Sequence, residues 1–163
     1  MGDRYQKPGA VIVAAIIALS AGNALGAVAG SLMAPIMTPN ARALFLAMAL
    51  VSAGSSGLFA MKSPDRMSRW RIGAFATTLV ALLAIGVGDR TQFLTAAVTA
   101  RAPLVAPFAV IGATLGSLAV IIPAILAGER GYQSLPHRPI RFAIGLVLIL
   151  TGLVFGVSAL RLI

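Results

Sequence analysis

The sequence predicts an all-α integral membrane protein of about five transmembrane helices, the remnant of a 3+3 inverted repeat. Three observations lead there. The chain is 59% hydrophobic and only 10% charged, with a mean hydropathy of +0.97, whereas soluble domains carry about 25% charged residues. Five apolar runs each reach the ~20 residues that a helix needs to cross the hydrocarbon core. Two of those runs, the first and the fourth, share a local pattern: Gly22-Asn23-Ala24-Leu25-Gly26-Ala27 against Gly112-Ala113-Thr114-Leu115-Gly116-Ser117.

The net charge of +9 and pI of about 11.8 do not point to nucleic acid, because the Lys and Arg residues sit in short loops beside apolar runs. Such loops belong to a protein whose partner is the lipid bilayer. With no cysteine there are no disulfides or thiolate metal sites. The first apolar run follows Arg4 and Lys7 as a signal peptide would, but it exceeds a signal peptide's apolar core, so it is expected to stay as a span.

The first span is expected from about Gly9 to Met33 and to end before Pro35 and Pro39. Gly22, Gly26 and Gly30 recur every fourth residue along one of its faces, where a neighbouring backbone can approach closely. Asn23 on this helix is read either as lining a cavity or as bonding another helix. The second span, about Ala41 to Met61, contains Ser52-Ala53-Gly54-Ser55-Ser56-Gly57. No His or acid lies near to activate a serine, so small-residue packing is the expected role. Residues 62–71 then form a polar hinge, with Trp70 suited to the headgroup level.

The third span, Ile72 to Ala100, contains Asp89 and Arg90 in an otherwise apolar run. An ionisable residue inside a span normally faces a cavity or a partner and marks a substrate or ion path. The fourth span is expected from about Leu104 to Ala127, with Gly112 and Gly116 one turn apart for helix packing and Pro123 near its end. A loop with Glu129, Arg130, His137 and Arg138 leads to the fifth, about Ile140 to Leu160. His137, the only histidine, is expected to be a solvated loop residue. One loop His and one span carboxylate make no constellation for catalysis, and the chain is not expected to be an enzyme.

If the spans alternate, Arg4, Lys7, Lys62, Arg66, Arg69, Arg71, Arg130, Arg138 and Arg141 share one side, against Arg42, Arg101 and Arg161. This bias predicts a cytoplasmic N-terminus and hinge loop 62–71, with the C-terminus outside.

The second and fifth spans extend the repeat, since each follows a proline and carries late glycines, Gly54 and Gly57 against Gly152 and Gly156. Spans one and two therefore answer to spans four and five, and span three has no counterpart. Restoring a helix before span one gives three per half, and an odd number makes the halves antiparallel, as in many secondary transporters. The expected division is a first half-repeat of two helices over 1–61, the hinge, and a three-helix half-repeat over 72–163.

Gly88-Asp89-Arg90-Thr91-Gln92-Phe93-Leu94, then the Arg101-Ala102-Pro103 turn and Gly112 to Gly116, resemble the second half of the Gdt-type membrane proteins. That family carries a Glu-x-Gly-Asp-(Lys or Arg)-(Thr or Ser) motif in the first helix of each half. The likeness runs from about Phe75 to Leu160 and, more loosely, through spans one and two. It implies six helices, a bacterial inner-membrane or Golgi-like location, and exchange of Mn2+ or Ca2+ for protons, with no resident cofactor. A Glu three residues before an Asp shares its helix face, so carboxylates from both halves could meet and offer hard oxygens to a divalent cation, with protons competing for the same atoms.

This sequence departs from the motif in two places. Gly86 occupies the Glu position. The first motif is absent or reduced to Met1-Gly2-Asp3-Arg4-Tyr5-Gln6, and Arg4 to Gly9 is expected to be the loop joining the family's first helix to its second, with that first helix missing. The expected cation-binding set is Asp89 as metal ligand, with Thr91, Gln92 and the backbone loosened at Gly86 and Gly88. Three readings remain open: a cation/proton antiporter; a degenerate half that acts in a homo- or hetero-oligomer with a related membrane protein; and a structural membrane protein that moves nothing.

Overall fold

The computed structural model describes residues 8–58, 75–76, 78–80, 89–133 and 137–160. The hinge 62–71, the motif glycines Gly86 and Gly88, and residues 1–7 lie outside the described residues. Every long element is helical: α1 (Pro8–Met33), α2 (Pro39–Leu58), α3 (Arg90–Arg101), α4 (Ala106–Gln133) and α5 (His137–Ala159). Short 3-10 turns at Ala34–Ile36 and Pro103–Val105 follow α1 and precede α4. Each begins around a proline, whose missing N–H suits the first turn of a helix.

Three stretches are long and apolar enough on their own to cross a membrane: Gly9–Ile36, Pro103–Leu126 and Pro139–Ala159. α2 is 20 residues long, about 30 Å, but is diluted by Asn40, Arg42 and three serines. Those serines turn inward on their own helix. Ser52 donates to the Ala49 carbonyl at 2.9 Å, Ser55 to Ser52 at 3.0 Å and Ser56 to Ala53 at 2.6 Å, which satisfies hydroxyls that lipid cannot.

Two boundaries differ from expectation. α4 runs through Pro123 and past Ala127 to Gln133, because no further proline follows before Pro136, so Glu129 and Arg130 are helical rather than in a loop. His137 opens α5 instead of lying in the loop before it.

α3 is the centre of the packing, in contact with α1, α2 and α4, while α5 lies along α2. α1 and α3 run parallel: a Cβ at Gly22 or Gly26 would meet Gln92, and one at Gly30 would meet Ala96 and Thr99. The expected close approach along this glycine face is thus made, and α3 is the helix that makes it. α2 and α5 run antiparallel, their backbones touching where Gly54 faces Gly145 and where Gly152 faces Ala47. Around these contacts a small core forms from Leu46, Ala49, Leu50 and Ala97, edged by Phe45, Leu94 and Phe155. Phe45 meets Phe93 edge-on at 5.1 Å, and the Arg101 guanidinium lies 4.4 Å from the Phe155 ring centroid.

At Gly112 and Gly116 no helix contact is made by the described residues. Among the described residues nothing lies within 4 Å of a Cβ built at either glycine, and both are exposed. α4 instead meets α1 through a different residue, Thr114, whose hydroxyl accepts a 3.1 Å hydrogen bond from the Asn23 amide. Both residues are buried, so Asn23 is an interhelical bond rather than a cavity lining. Interhelical bonds of this kind contribute about 0.6 kcal/mol on average. A double-mutant cycle of Asn23→Leu and Thr114→Val, read by thermal unfolding in detergent, should give a coupling of about 0.5–1.5 kcal/mol. No coupling would mean the bond does not form.

Candidate functional site

Asp89 does not sit inside a helix. Its backbone is extended, with φ −65° and ψ 152°, and it caps α3. The helical face expected to join Gly86, Asp89 and Gln92 is therefore interrupted at Asp89. The local reason is chemical: Asp favours the N-cap, where its side chain accepts from free N–H groups, and the glycines before it are poor helix formers. One Asp89 carboxylate oxygen accepts from the Arg90 N–H at 2.7 Å, and the other from the Thr91 hydroxyl at 3.3 Å. The Asp89 carbonyl accepts the Phe93 N–H at 3.0 Å, starting the helical ladder.

Depth in the membrane follows from the packing. Gly9–Ile36 spans 28 residues, so its midpoint falls between Gly22 and Asn23. Pro103–Leu126 spans 24, with its midpoint between Thr114 and Leu115. The Asn23–Thr114 bond thus joins the middles of two apolar helices, which places both at one level. Gln92 lies against Gly22 and Gly26, hence at the same level, and Asp89 is within about one helical turn of it. The helix that starts here has only 12 residues, about 18 Å, too short to cross the ~30 Å hydrocarbon core alone.

The structure therefore brings Asp89 and Thr91 into direct contact level with the middles of α1 and α4. Gln92 is held differently, its side chain packed at Gly22 on α1. Asp89 and Arg90 are both exposed. No other described residue adds a carboxylate at this depth, since α1, α2 and α5 contain no Asp or Glu and Glu129 of α4 lies beyond the end of its apolar span at Leu126. Among the described residues there is no cluster of three His, Cys, Asp or Glu side chains. Beside the site an open groove of about 490 Å³ runs between Thr91, Leu94 and Thr95 of α3 and Gly116, Ser117 and Val120 of α4. The hydroxyls of Thr95 and Thr99 are tied to their own helix, Thr95 donating to the Thr91 carbonyl at 2.7 Å and Thr99 to Thr95 at 2.9 Å. Sequence reasoning did not single out this groove, Thr95 or Ser117; back-bonded hydroxyls on a helix carry no signal that distinguishes them from packing residues.

The model of the divalent cation/proton antiporter GDT1 family matches residues 74–162, more than half of the chain, with Asp89 and the α3–α4 groove inside the match. The chain belongs to this family. A putative manganese exporter from Vibrio cholerae serotype O1 is 27% identical over 141 residues, covering 86% of this chain and 70% of its own length. No solved structure matches. As a member of the GDT1 family, the chain is a multi-pass membrane protein of a divalent cation transporter class, not of an enzyme class. The family match includes Asp89, α3, α4 and α5, while α1, against which Gln92 packs, lies before it.

Proposed function

We propose that this chain exchanges Mn2+ for protons across the inner membrane, with Asp89 as the carboxylate that the two cations share. The observation that carries the reading is a carboxylate on non-helical backbone level with the middles of two apolar helices long enough to cross a membrane. Non-helical backbone is tolerated there only where it is buried in protein or lines a water-filled cavity, and interrupted helices at the midplane form the cation sites of many transporters. Asp89 and Thr91 supply hard oxygens of the kind that suits Mn2+ and Ca2+, and the Vibrio relative's name favours Mn2+. Gly86 and Gly88 would free backbone carbonyls for the same ion.

A proton and a metal ion that need the same carboxylate oxygens cannot hold them together, so loading one expels the other. Gln92 positions the start of α3 against α1 through Gly22 and Gly26. The parallel run of α1 and α3 puts Arg42, at the start of α2, at the same membrane end as Arg101. That arrangement supports the reading of the arginine-poor side as external, with the hinge 62–71 cytoplasmic and the halves 1–61 and 72–163 on either side of it.

The test is flux in proteoliposomes. An acid interior should drive Mn2+ inward, and collapsing the pH gradient with nigericin should stop it. Mn2+ flux indifferent to the gradient would overturn proton exchange, and Ca2+ that outcompetes Mn2+ would reassign the cargo. Because cation affinity follows the number of charged ligands, Gly86→Glu should lower the Mn2+ concentration for half-maximal flux by about tenfold or more. An unchanged or raised value would remove position 86 from the site.

A further inference from the structure

We propose that transport moves the chain as two bodies, α1 with α3 and α4 against α2 with α5, which slide past each other along an aromatic seam one helical turn from Asp89. The inference rests on the reading of the chain as a cation/proton exchanger. The boundary it draws does not follow the halves 1–61 and 72–163, since α1 and α2 fall in different bodies.

Inside each body, backbone meets backbone. A Cβ at Gly26 of α1 would lie 2.6 Å from the Gln92 carbonyl oxygen of α3. One at Gly54 of α2 would lie 2.6 Å from the Gly145 carbonyl oxygen of α5, and one at Gly152 of α5 would lie 2.9 Å from the Ala47 carbonyl oxygen. Helices seated this closely on glycines cannot shift without driving a side chain into the partner's backbone. α4 is tied to α1 by the Asn23–Thr114 bond and also meets α3. Every glycine approach among the described residues lies within one body or the other.

Between the bodies the contacts are of another kind. Phe45 of α2 stands edge-on to Phe93 of α3 at 5.1 Å, and Leu46, Ala49 and Leu50 of α2 cluster with Ala97 of α3. Side chains of this sort can change rotamer as packed helices slide, which is how shear motions proceed. Two arginines tie the bodies at one membrane end. Arg101 of α3 lies 4.4 Å from the ring centroid of Phe155 on α5, and Arg42 of α2 donates to the Met37 carbonyl, just past α1, at 3.1 Å. Met37 is extended, with φ −103° and ψ 137°, so the chain passes from the first body to the second through non-helical backbone of the kind that serves as a hinge. Asp89 belongs to the first body: its carbonyl accepts the N–H of the seam residue Phe93. Sliding would carry Asp89 past α2 and α5, turning it toward one membrane face and then the other.

Cysteine pairs test this, because the chain has no cysteine of its own. A Cβ at Gly156 would lie 3.6 Å from that of Ala47, within the about 3.5–4.5 Å that a disulfide spans. Ala47→Cys with Gly156→Cys therefore links α2 to α5 inside one body, and Asn23→Cys with Thr114→Cys links α1 to α4 inside the other. Arg101→Cys with Phe155→Cys, and separately Phe45→Cys with Phe93→Cys, are joined across the seam by a short bifunctional methanethiosulfonate. Two pairs of each kind keep the comparison if one fails to fold. In proteoliposomes, links within a body should leave Mn2+ flux at the level of the reduced protein, whereas links across the seam should abolish it until dithiothreitol restores it. Flux that continues through a cross-seam link would overturn the proposal, and so would flux lost on linking within a body. In both of those cases the reduced proteins still carry Mn2+, so the exchanger reading stands. Absence of flux from the unsubstituted protein would instead sink that reading, and the sliding bodies with it.

Discussion

Asp89→Asn should leave the protein folded and remove Mn2+ flux by about 100-fold or more, the upper end of what loss of even an outer-shell metal partner costs. The two roles of Asp89 separate cleanly in this substitution. As an N-cap, Asn is about as good as Asp: its one oxygen can still accept from the Arg90 N–H, and its amide N–H can donate to the Thr91 hydroxyl oxygen where the second Asp89 oxygen accepts. As a cation ligand, Asn lacks the charge that holds a divalent ion and cannot take up the exchanged proton. Asp89→Ala removes both roles, so it should lose flux equally and also lower stability by about 1 kcal/mol, the typical worth of a helix cap. The measurements are proton-driven Mn2+ uptake and thermal unfolding of the same detergent-purified samples. Flux that survives Asp89→Asn would reduce Asp89 to a cap and favour the reading in which the protein moves nothing.

Gly26→Leu and Gly30→Leu should prevent assembly of α3 on α1, whereas Gly116→Leu should leave the purified protein's unfolding temperature unchanged within error. A Cβ at Gly26 would press on the Gln92 carbonyl oxygen at 2.6 Å, and one at Gly30 on the Ala96 carbonyl and the Thr99 hydroxyl. These are mostly backbone atoms of α3, which cannot swing aside as a flexible side chain can. Even the single methyl of Gly26→Ala should cost about 1–3 kcal/mol, the usual penalty for overpacking, and the larger Leu should convert the protein to an aggregated or protease-sensitive form. The contrast with Gly116 is the sharp part of the prediction, because the three residues have the same composition and spacing in the sequence. Equal tolerance at Gly26 and Gly116 would mean that α1 and α3 do not pack as described.

Much of this was readable before any coordinates. Composition alone fixed the membrane class, since too few charged residues remain to solvate a surface. The prolines at 35, 39 and 103 marked helix ends to within a few residues because the missing N–H and restricted neighbour act locally. Asp89 stood out for the same kind of reason: a carboxylate in an apolar run is costly wherever the chain goes. The motif around it identified the family from consecutive residues.

Periodicity could not tell that helix α3 starts only after Asp89, because a cap and a helical ligand look alike in sequence. Nor could it tell the glycine faces apart. Gly22 and Gly26 and Gly112 and Gly116 have identical spacing, and that spacing promises only room for a backbone. Which of them is filled depends on which helix lies alongside, a fact held by residues some seventy positions away, at Gln92 and Ala96. The sequence by itself determined the solvent this protein folds in, its helices and the charge it must accommodate. The tertiary structure alone decided that Asp89 caps a short helix level with the middles of α1 and α4, and which faces close among the described residues, because contacts between distant segments set level and burial.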